Sequence, residues 1–147
     1  ADSVPLVYKA IIGALALYAS EGLTGISCIA RGADSVFAQA VLDLDGKLEV
    51  LLPAANYREH KVKPDHAPQF DELMRRATTV RVMPFADANR AAYEAANEVL
   101  VSSCDTLFAV WDGHSGVDKG GTASVVEYAR SRGVPVEIIW PEGAARG

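Results

Sequence analysis

The sequence predicts an α/β protein in which a mainly parallel sheet carries helices on both faces, in three layers. Strand-like stretches alternate with helical stretches along all 147 residues, which is the pattern of repeated strand–helix–strand units. Two of the strand-like stretches, 48–52 and 106–111, are almost continuously apolar, as strands buried on both faces are. Because no repeat or linker interrupts this pattern, we expect a single Rossmann-like domain over residues 1–147.

Five helices and five strands are expected along the chain. The helices follow capping residues and end near glycines or strands: Ser3–Gly22, Ser35–Leu42, Gln69–Ala77, a helix capped by Asp87 or Asn89 that reaches Ser102, and Thr122–Ser131. The strands are rich in β-branched and apolar residues: Gly25–Ile29, Leu48–Leu52, Thr78–Met83, Thr106–Trp111 and Val134–Trp140. The polar segment Ala54–Pro68 is expected to be a loop over the ligand edge of the sheet.

The order of the elements at the start of the chain is unusual. Folds of this kind usually open on a strand, whereas this sequence opens on a helix. We therefore expect either that a first strand was removed or that it is disordered and absent from the numbering. The loop after that strand would normally line the ligand site.

Composition limits the class of function. The net charge of −5 argues against a duplex-DNA or membrane-surface binder, since both need a basic face. A small anionic ligand is compatible with this charge, because a few amide N–H groups and one arginine can hold a phosphate. No signal peptide is evident and no apolar run approaches the roughly 18 residues of a membrane span, so we expect a cytoplasmic protein without membrane contact.

Cysteine and histidine spacing does not indicate a metal site. Cys28 and Cys104 lie in apolar or small-residue stretches without CxxC spacing, which favours reduced core or strand-end residues. The histidines at 60, 66 and 114 show neither HxxxH nor HExxH spacing. We expect neither a metal nor another cofactor.

The loop after the first strand is one of two candidate ligand sites, because ligands of parallel sheets bind at the carboxyl ends of strands. It comprises Ala30, Arg31, Gly32, Ala33 and Asp34. Gly32 allows a tight turn, the helix that follows offers free N–H groups, and Arg31 suits a phosphate. Asp34 is placed to accept from ribose hydroxyls. The alternative is that Asp34 or Ser35 is a simple helix cap and Arg31 is solvated.

The glycine-rich loop after the fourth strand is the second candidate. It begins with Asp112 and Gly113 and ends with Gly120, Gly121 and Thr122 at the start of a helix. Such a loop forms an anion cradle from backbone amides, although it matches neither GxxxxGK[ST] nor GxGxxG. The alternative is a flexible connection with Thr122 as an ordinary cap. Asp112 either binds ribose or caps the glycine turn.

Three further groups of residues have two interpretations each. The polar segment Asn56–Lys61 either closes over the ligand or is a solvated loop. Asn89, Arg90 and Tyr93 open a helix after a strand, so they either face the cleft or supply a cap and an exposed arginine. Glu127 lies five residues after Thr122 and either points back to the ligand or lies on the surface.

The two loops together resemble those of the SLOG superfamily of Rossmann-like proteins. The resemblance is carried by ARGAD at 30–34, DTLFAVWDG at 105–113, KGGTASVVEYAR at 119–130 and GVPVEIIWP at 133–141. It covers about residues 25–141. That superfamily includes the Lonely Guy phosphoribohydrolases, the DNA-processing protein A family and small nucleotide-sensing domains. The resemblance implies that both loops hold the phosphate and ribose of a nucleotide, and that the protein is a homo-oligomer.

Departures from the resemblance leave three functions open. The phosphoribohydrolase motif PGGxGTxxE is incomplete in the segment 118–127, so Glu127 does not fall on the catalytic spacing. The first hypothesis is a nucleotide sensor or carrier without robust turnover. The second is a hydrolase of N-glycosidic bonds that uses Glu127 and Arg31. The third is a single-stranded DNA-handling domain, which the acidic charge and the few aromatic residues outside apolar runs disfavour.

Overall fold

The fold alternates helices with parallel strands. A computed structural model describes residues 4–19, 22–29, 33–87, 89–110 and 122–139. Within these ranges the helices are α1 (Val4–Ala19), α2 (Ala33–Asp43), α3 (Tyr57–Lys61), α4 (Ala67–Arg76), α5 (Arg90–Ser103) and α6 (Thr122–Ser131). The strands are β1 (Thr24–Ser27), β2 (Lys47–Leu52), β3 (Thr79–Val82), β4 (Leu107–Val110) and β5 (Val136–Ile139).

The described strands form two parallel groups. One group has the order β1-β2-β3, with Gly25 opposite Leu48 and Val50 opposite Val80. The other joins β4 to β5, with Phe108 opposite Glu137. Parallel strands need a crossover connection, and each strand here reaches the next through at least one helix.

Helices cover both faces of the sheet. On one face α2 packs between α1 and α4, and on the other α5 packs against α6 and β2. Alternate residues of β2 show the two faces, because Leu48 and Val50 pack with Phe70 of α4 whereas Leu51 packs with Ala96 of α5. The predicted α/β class and its covered parallel sheet are confirmed.

Several element boundaries differ from the prediction. Helix α2 begins at Ala33, two residues before the expected start, so Asp34 and Ser35 lie in its first turn. The segment expected to be a loop, 54–68, contains α3 and the start of α4. Tyr57 explains α3, since this residue is only 4% exposed and its ring packs on Phe70. The local polar sequence does not indicate this tertiary contact.

The predicted helix stops and one cap are confirmed. Gly22 and Gly133, with φ of 89° and 76°, follow α1 and α6 in the left-handed conformation that favours glycine. Of the two expected caps for α5, Asn89 is the one used: its side-chain oxygen accepts a hydrogen bond from the Ala92 amide at 2.9 Å.

The described residues give three further findings, on cysteines, membrane spans and metal ligands. Cys28 and Cys104 are both free and partly buried, as expected. Within the described ranges, no helix has the length and apolar character needed to cross a membrane. The same residues contain no group of three or more His, Cys, Asp or Glu side chains arranged to hold a metal ion.

Candidate functional site at the carboxyl edge of the sheet

The candidate site lies where β1 ends and α2 begins. A cavity of about 750 Å³ runs along β1 and reaches this edge of the sheet. The carboxyl ends of parallel strands meet at one edge, which is where ligands of α/β folds bind. Six residues of the cavity wall lie on the elements that meet there: Ser27, Cys28, Asp34, Tyr57, Tyr93 and Asn97.

The backbone turns sharply at Ile29, two residues after β1. Ile29 has a φ of 47°, in the left-handed region that a β-branched side chain rarely adopts. Its side chain is completely buried in the core formed by β2 and α4. A conformation of this kind costs on the order of 1–3 kcal/mol and persists only when its surroundings enforce it.

Hydrogen bonds hold this turn on both sides. The Ile29 amide donates to Ser27 Oγ at 2.9 Å, and that hydroxyl donates to the Asp34 carbonyl at 3.1 Å. The Ile29 carbonyl accepts from Ser35 Oγ at 3.2 Å, and His66 Nε2 lies 3.2 Å from the same oxygen. The turn is therefore fastened to β1, to the first turn of α2 and to the residue preceding α4.

The buried Ser35–His66 pair has a structural role in this arrangement. His66 Nε2 lies 3.3 Å from Ser35 Oγ, within reach of a nucleophile–base pair. The Ser35 hydroxyl has one proton and donates it to the Ile29 carbonyl. The pair therefore supports the Ile29 turn.

A thiol and a phenol, those of Cys28 and Tyr57, lie near the exposed Asp34. The rings of Tyr57 and Tyr93 lie edge to face with centroids 6.3 Å apart. Burial, with a smaller contribution from Asp34, raises the pKa of Cys28 to about 12. Burial also raises the pKa of Tyr57, and Tyr93, Cys28 and Asp34 add to that effect. At neutral pH the site therefore offers protonated phenols beside one carboxylate-bearing residue.

The first predicted loop is described only from Ala33 onward. Ala33 is the first residue of α2, and Asp34 lies in its first turn and on the cavity wall. The structure thus brings Asp34 to the site, where its neighbours are Cys28 and Tyr57. Ala30, Arg31 and Gly32 lie outside the described residues.

The second predicted loop is described only at its helix. Helix α6 begins at Thr122, as expected, whereas Asp112, Gly113, Gly120 and Gly121 lie outside the described residues. Glu127 is exposed, and its neighbours Val126 and Ala129 are buried. Of the described α6 side chains, Val125 is the one that lines the cavity.

The polar segment 56–61 and the start of α5 contribute unequally to the site. Tyr57 and Tyr93 line the cavity. The charged residues beside them form exposed ion pairs, because Arg58 pairs with Asp71 and Arg90 with Glu94. Asn56 donates to Asp87 at 2.9 Å, which ties α3 to the segment before α5.

Sequence reasoning missed the polar residues that shape the site. Ser27, Ser35 and His66 are all buried, and each bonds to the backbone around Ile29. A signal was present, since serines stand on both sides of the first loop, one within an otherwise apolar strand. His66 carried no such signal, because 37 residues separate it from Ile29.

Comparisons with known proteins bear on the fold. No protein-family model matches the chain, and no curated protein matches it. Among solved structures, the X-ray structure of DNA processing protein A (DprA) from Streptococcus pneumoniae is similar, with a TM-score of 0.65 and 17% sequence identity. The alignment covers 97% of this chain and 47% of that chain, so this chain spans about half the length of its structural neighbour. The likeness shows a Rossmann-like α/β fold shared with DNA processing protein A.

Proposed function

We propose that this domain binds a nucleotide or nucleotide-derived phosphate at the carboxyl edge of its sheet, as a sensor or carrier. The observation that carries the proposal is the Ile29 turn, a strained backbone held by Ser27, Ser35 and His66 directly before α2. Strain of this kind concentrates at functional sites. Membership of the SLOG superfamily is part of the same proposal.

The groups around the turn suit the parts of a nucleotide. The start of α2 supplies amide N–H groups and a positive dipole end for phosphate, and Arg31 adds a guanidinium to it. Asp34 accepts from ribose hydroxyls. Tyr57 and Tyr93 give aromatic surface, half-buried for Tyr93, against which a base can pack. The glycine-rich segment 112–122 is the second phosphate-binding element of this proposal.

A ligand screen with product analysis tests the proposal. The chain is melted with nucleoside mono-, di- and triphosphates, cyclic nucleotides, NAD and ADP-ribose, and each well is then analysed by chromatography. We expect at least one of these to raise the melting temperature and to be recovered intact. A released base would instead support the N-glycosidic hydrolase, and Glu127→Gln then tests the predicted acid.

Matched variants connect any thermal shift to the site. Asp34→Asn and Arg31→Ala are each expected to lower the affinity for the ligand about tenfold, since each removes a charge-assisted hydrogen bond. Glu127→Gln is expected to leave the sensor's affinity unchanged. Equal affinity in all three variants would contradict the proposed site.

The structural neighbour adds one competing outcome. That neighbour is a DNA processing protein by name, so single-stranded oligonucleotides belong in the same screen. A salt-dependent shift with oligonucleotides and none with mononucleotides would favour the DNA-handling alternative.

A further inference from the structure

Two polar side chains in the cavity wall take no part in the Ile29 turn. Glu49 of β2 and Asn97 of α5 both line the cavity, and both are half-buried. Neither side chain makes a hydrogen bond or an ion pair with the described residues. Polar groups that are partly removed from water normally have such partners, so both are available to a ligand that enters the cavity.

Both side chains lie between the sheet and α5. Glu49 and Leu51 are alternate residues of β2 and therefore point to the same face. Leu51 packs with Ala96, the residue before Asn97, so that face is the one that α5 covers. Ile26 of β1 lies beside Glu49 in the sheet and packs in the same cluster as Leu51.

Tyr93, Asn97 and Leu100 form one stripe along α5. Their spacing of four and three residues places them on the same side of the helix, and all three line the cavity. Helix α5 begins after the end of β3 and ends before the start of β4, so Tyr93 lies toward the carboxyl edge and Leu100 toward the opposite edge. We call the space bounded by this stripe, Ile26 and Glu49 the α5 pocket.

The α5 pocket continues the candidate ligand site into the protein. Cys28, at the carboxyl edge, lies two residues beyond Ile26, which is about 7 Å along an extended chain. Tyr93 lies near Cys28. A nucleotide with its phosphate at the start of α2 would thus place its base against Tyr93, with the outer edge of the base toward the two polar side chains.

The chemistry of these two side chains specifies one kind of base. The Glu49 carboxylate only accepts hydrogen bonds and has two oxygens, whereas the Asn97 amide both donates and accepts. Two parallel N–H donors match a carboxylate best, as in its pairing with a guanidinium. Guanine is the common base that presents two adjacent donors on one edge, N1–H and the N2 amino group. Its O6, on the same edge, accepts a hydrogen bond.

Other purines match the α5 pocket less well. Adenine presents an unprotonated N1 beside its amino group, so a lone pair would face one carboxylate oxygen. Hypoxanthine has N1–H but lacks the amino group. A site whose polar groups are left without partners rejects an analogue that lacks the matching group.

We infer that the α5 pocket selects guanine. Glu49 accepts from N1–H and the N2 amino group, Asn97 donates to O6, and the ring of Tyr93 packs on the base. This inference rests on the proposed nucleotide site and names its substrate class as guanine nucleotides.

Calorimetric titration of the unmodified chain with two matched series tests the inference. GMP, IMP and AMP share one ribose phosphate and differ only in the base, and GTP, ITP and ATP repeat the comparison with three phosphates. We expect the guanine member to bind at least about tenfold more tightly than the other two, the loss expected for a hydrogen bond to a charged group. Equal affinities within a series, or tighter binding of the adenine member, would overturn guanine selection and leave nucleotide binding standing. Binding by none of the six would overturn it too, and the screen with NAD, cyclic nucleotides and ADP-ribose would then show whether the nucleotide site itself fails.

An isosteric variant assigns the preference to the α5 pocket. Glu49→Gln is expected to lower the affinity for GMP at least about tenfold and to reduce the preference for GMP over IMP below about threefold, because an amide offers one acceptor oxygen. Glu98→Gln, on the exposed side of α5, is the matched control and should change neither value. The side-chain amide resonance of Asn97 should shift with GMP in the unmodified chain. A full preference for GMP in Glu49→Gln would overturn the inference.

Discussion

At the scale of single residues, Ile29 belongs both to the core of the fold and to the proposed ligand site. A β-branched residue at a φ of 47° is unfavourable on its own, yet three buried side chains fix it there. The strained residue lies in the connection between the end of β1 and the start of α2. Arg31, the arginine of the proposed phosphate site, follows Ile29 by two residues in the sequence.

Ser27 is the most informative residue to change in this group. Ser27→Ala leaves the buried Ile29 amide without its acceptor and removes the bond to the Asp34 carbonyl. We expect a loss of about 1–3 kcal/mol in the free energy of unfolding, measured by urea denaturation. The matched control is Ser131→Ala, whose hydroxyl donates to the Tyr128 carbonyl in an exposed position, and which should cost under about 0.5 kcal/mol. Equal losses in the two variants would contradict the role given to Ser27.

The raised pKa of Cys28 predicts how stability depends on pH. The thiol has a pKa of about 12 in the folded chain and an ordinary value of 9.0 when unfolded. Above pH 9 the unfolded chain binds fewer protons than the folded chain. The contribution of this thiol to the free energy of unfolding is therefore fully present below pH 9 and is lost as the pH rises toward 12. We expect titration of this thiol to lower the free energy of unfolding by about 1.4 kcal/mol per pH unit. Tyr57 adds to this fall at higher pH.

Urea denaturation under reducing conditions at pH 7.5, 9.0 and 10.5 measures this fall. Cys28→Ala should flatten the profile between pH 9.0 and 10.5, because it removes the titrating thiol. Cys104→Ala is the matched control, since burial raises the pKa of Cys104 less strongly. A Cys28→Ala profile as steep as that of the unchanged protein would contradict the assignment.

At the scale of elements, close packing of β1 against α2 positions the Ile29 turn. Gly25 lies in β1 with no side chain between the strand and Val41 of α2. A Cβ at Gly25 would lie 2.5 Å from Val41 Cγ2 and 3.1 Å from a ring carbon of Phe37. A side chain there would force the Val41 and Phe37 side chains of α2 to shift.

Gly25→Ala is therefore expected to destabilise the fold by about 1–3 kcal/mol through overpacking. Gly13→Ala is the matched control on α1, because a Cβ at Gly13 meets no atom within 4 Å. Inside an exposed helix turn, that change should stabilise by about 0.5–1 kcal/mol. Thermal melting of both variants measures the difference, and a neutral or stabilising Gly25→Ala would show that α2 does not press on β1.

At the scale of the whole molecule, the sequence predicted the layered α/β fold more completely than the residues of the candidate ligand site. Alternating element types and the apolar run at 48–52 were sufficient for a covered parallel sheet, because local periodicity reports burial. Helix stops at Gly22 and Gly133 followed from a backbone preference that is local as well. These features do not depend on which distant residues meet.

The features that the sequence did not predict all depend on distant contacts. Helix α3 forms where Tyr57 packs on Phe70. His66 lies within hydrogen-bond distance of the Ile29 carbonyl although 37 residues separate the two in the sequence. Asp34 was predicted as a ligand residue and does line the cavity. Glu127 remains a prediction for the hydrolase alternative, on the exposed side of α6.

The most direct test of nucleotide binding at this edge is a titration of the ¹⁵N-labelled chain with the best nucleotide from the screen, followed by amide chemical shifts. We expect the shifts to cluster at the carboxyl edge, at Ser27, Cys28, Asp34, Tyr57 and Tyr93. Amides at the opposite edge, such as Lys47 and Thr79 at the starts of β2 and β3, should stay in place. Shifts confined to that opposite edge, or no shifts at millimolar nucleotide, would rule out nucleotide binding at the carboxyl edge.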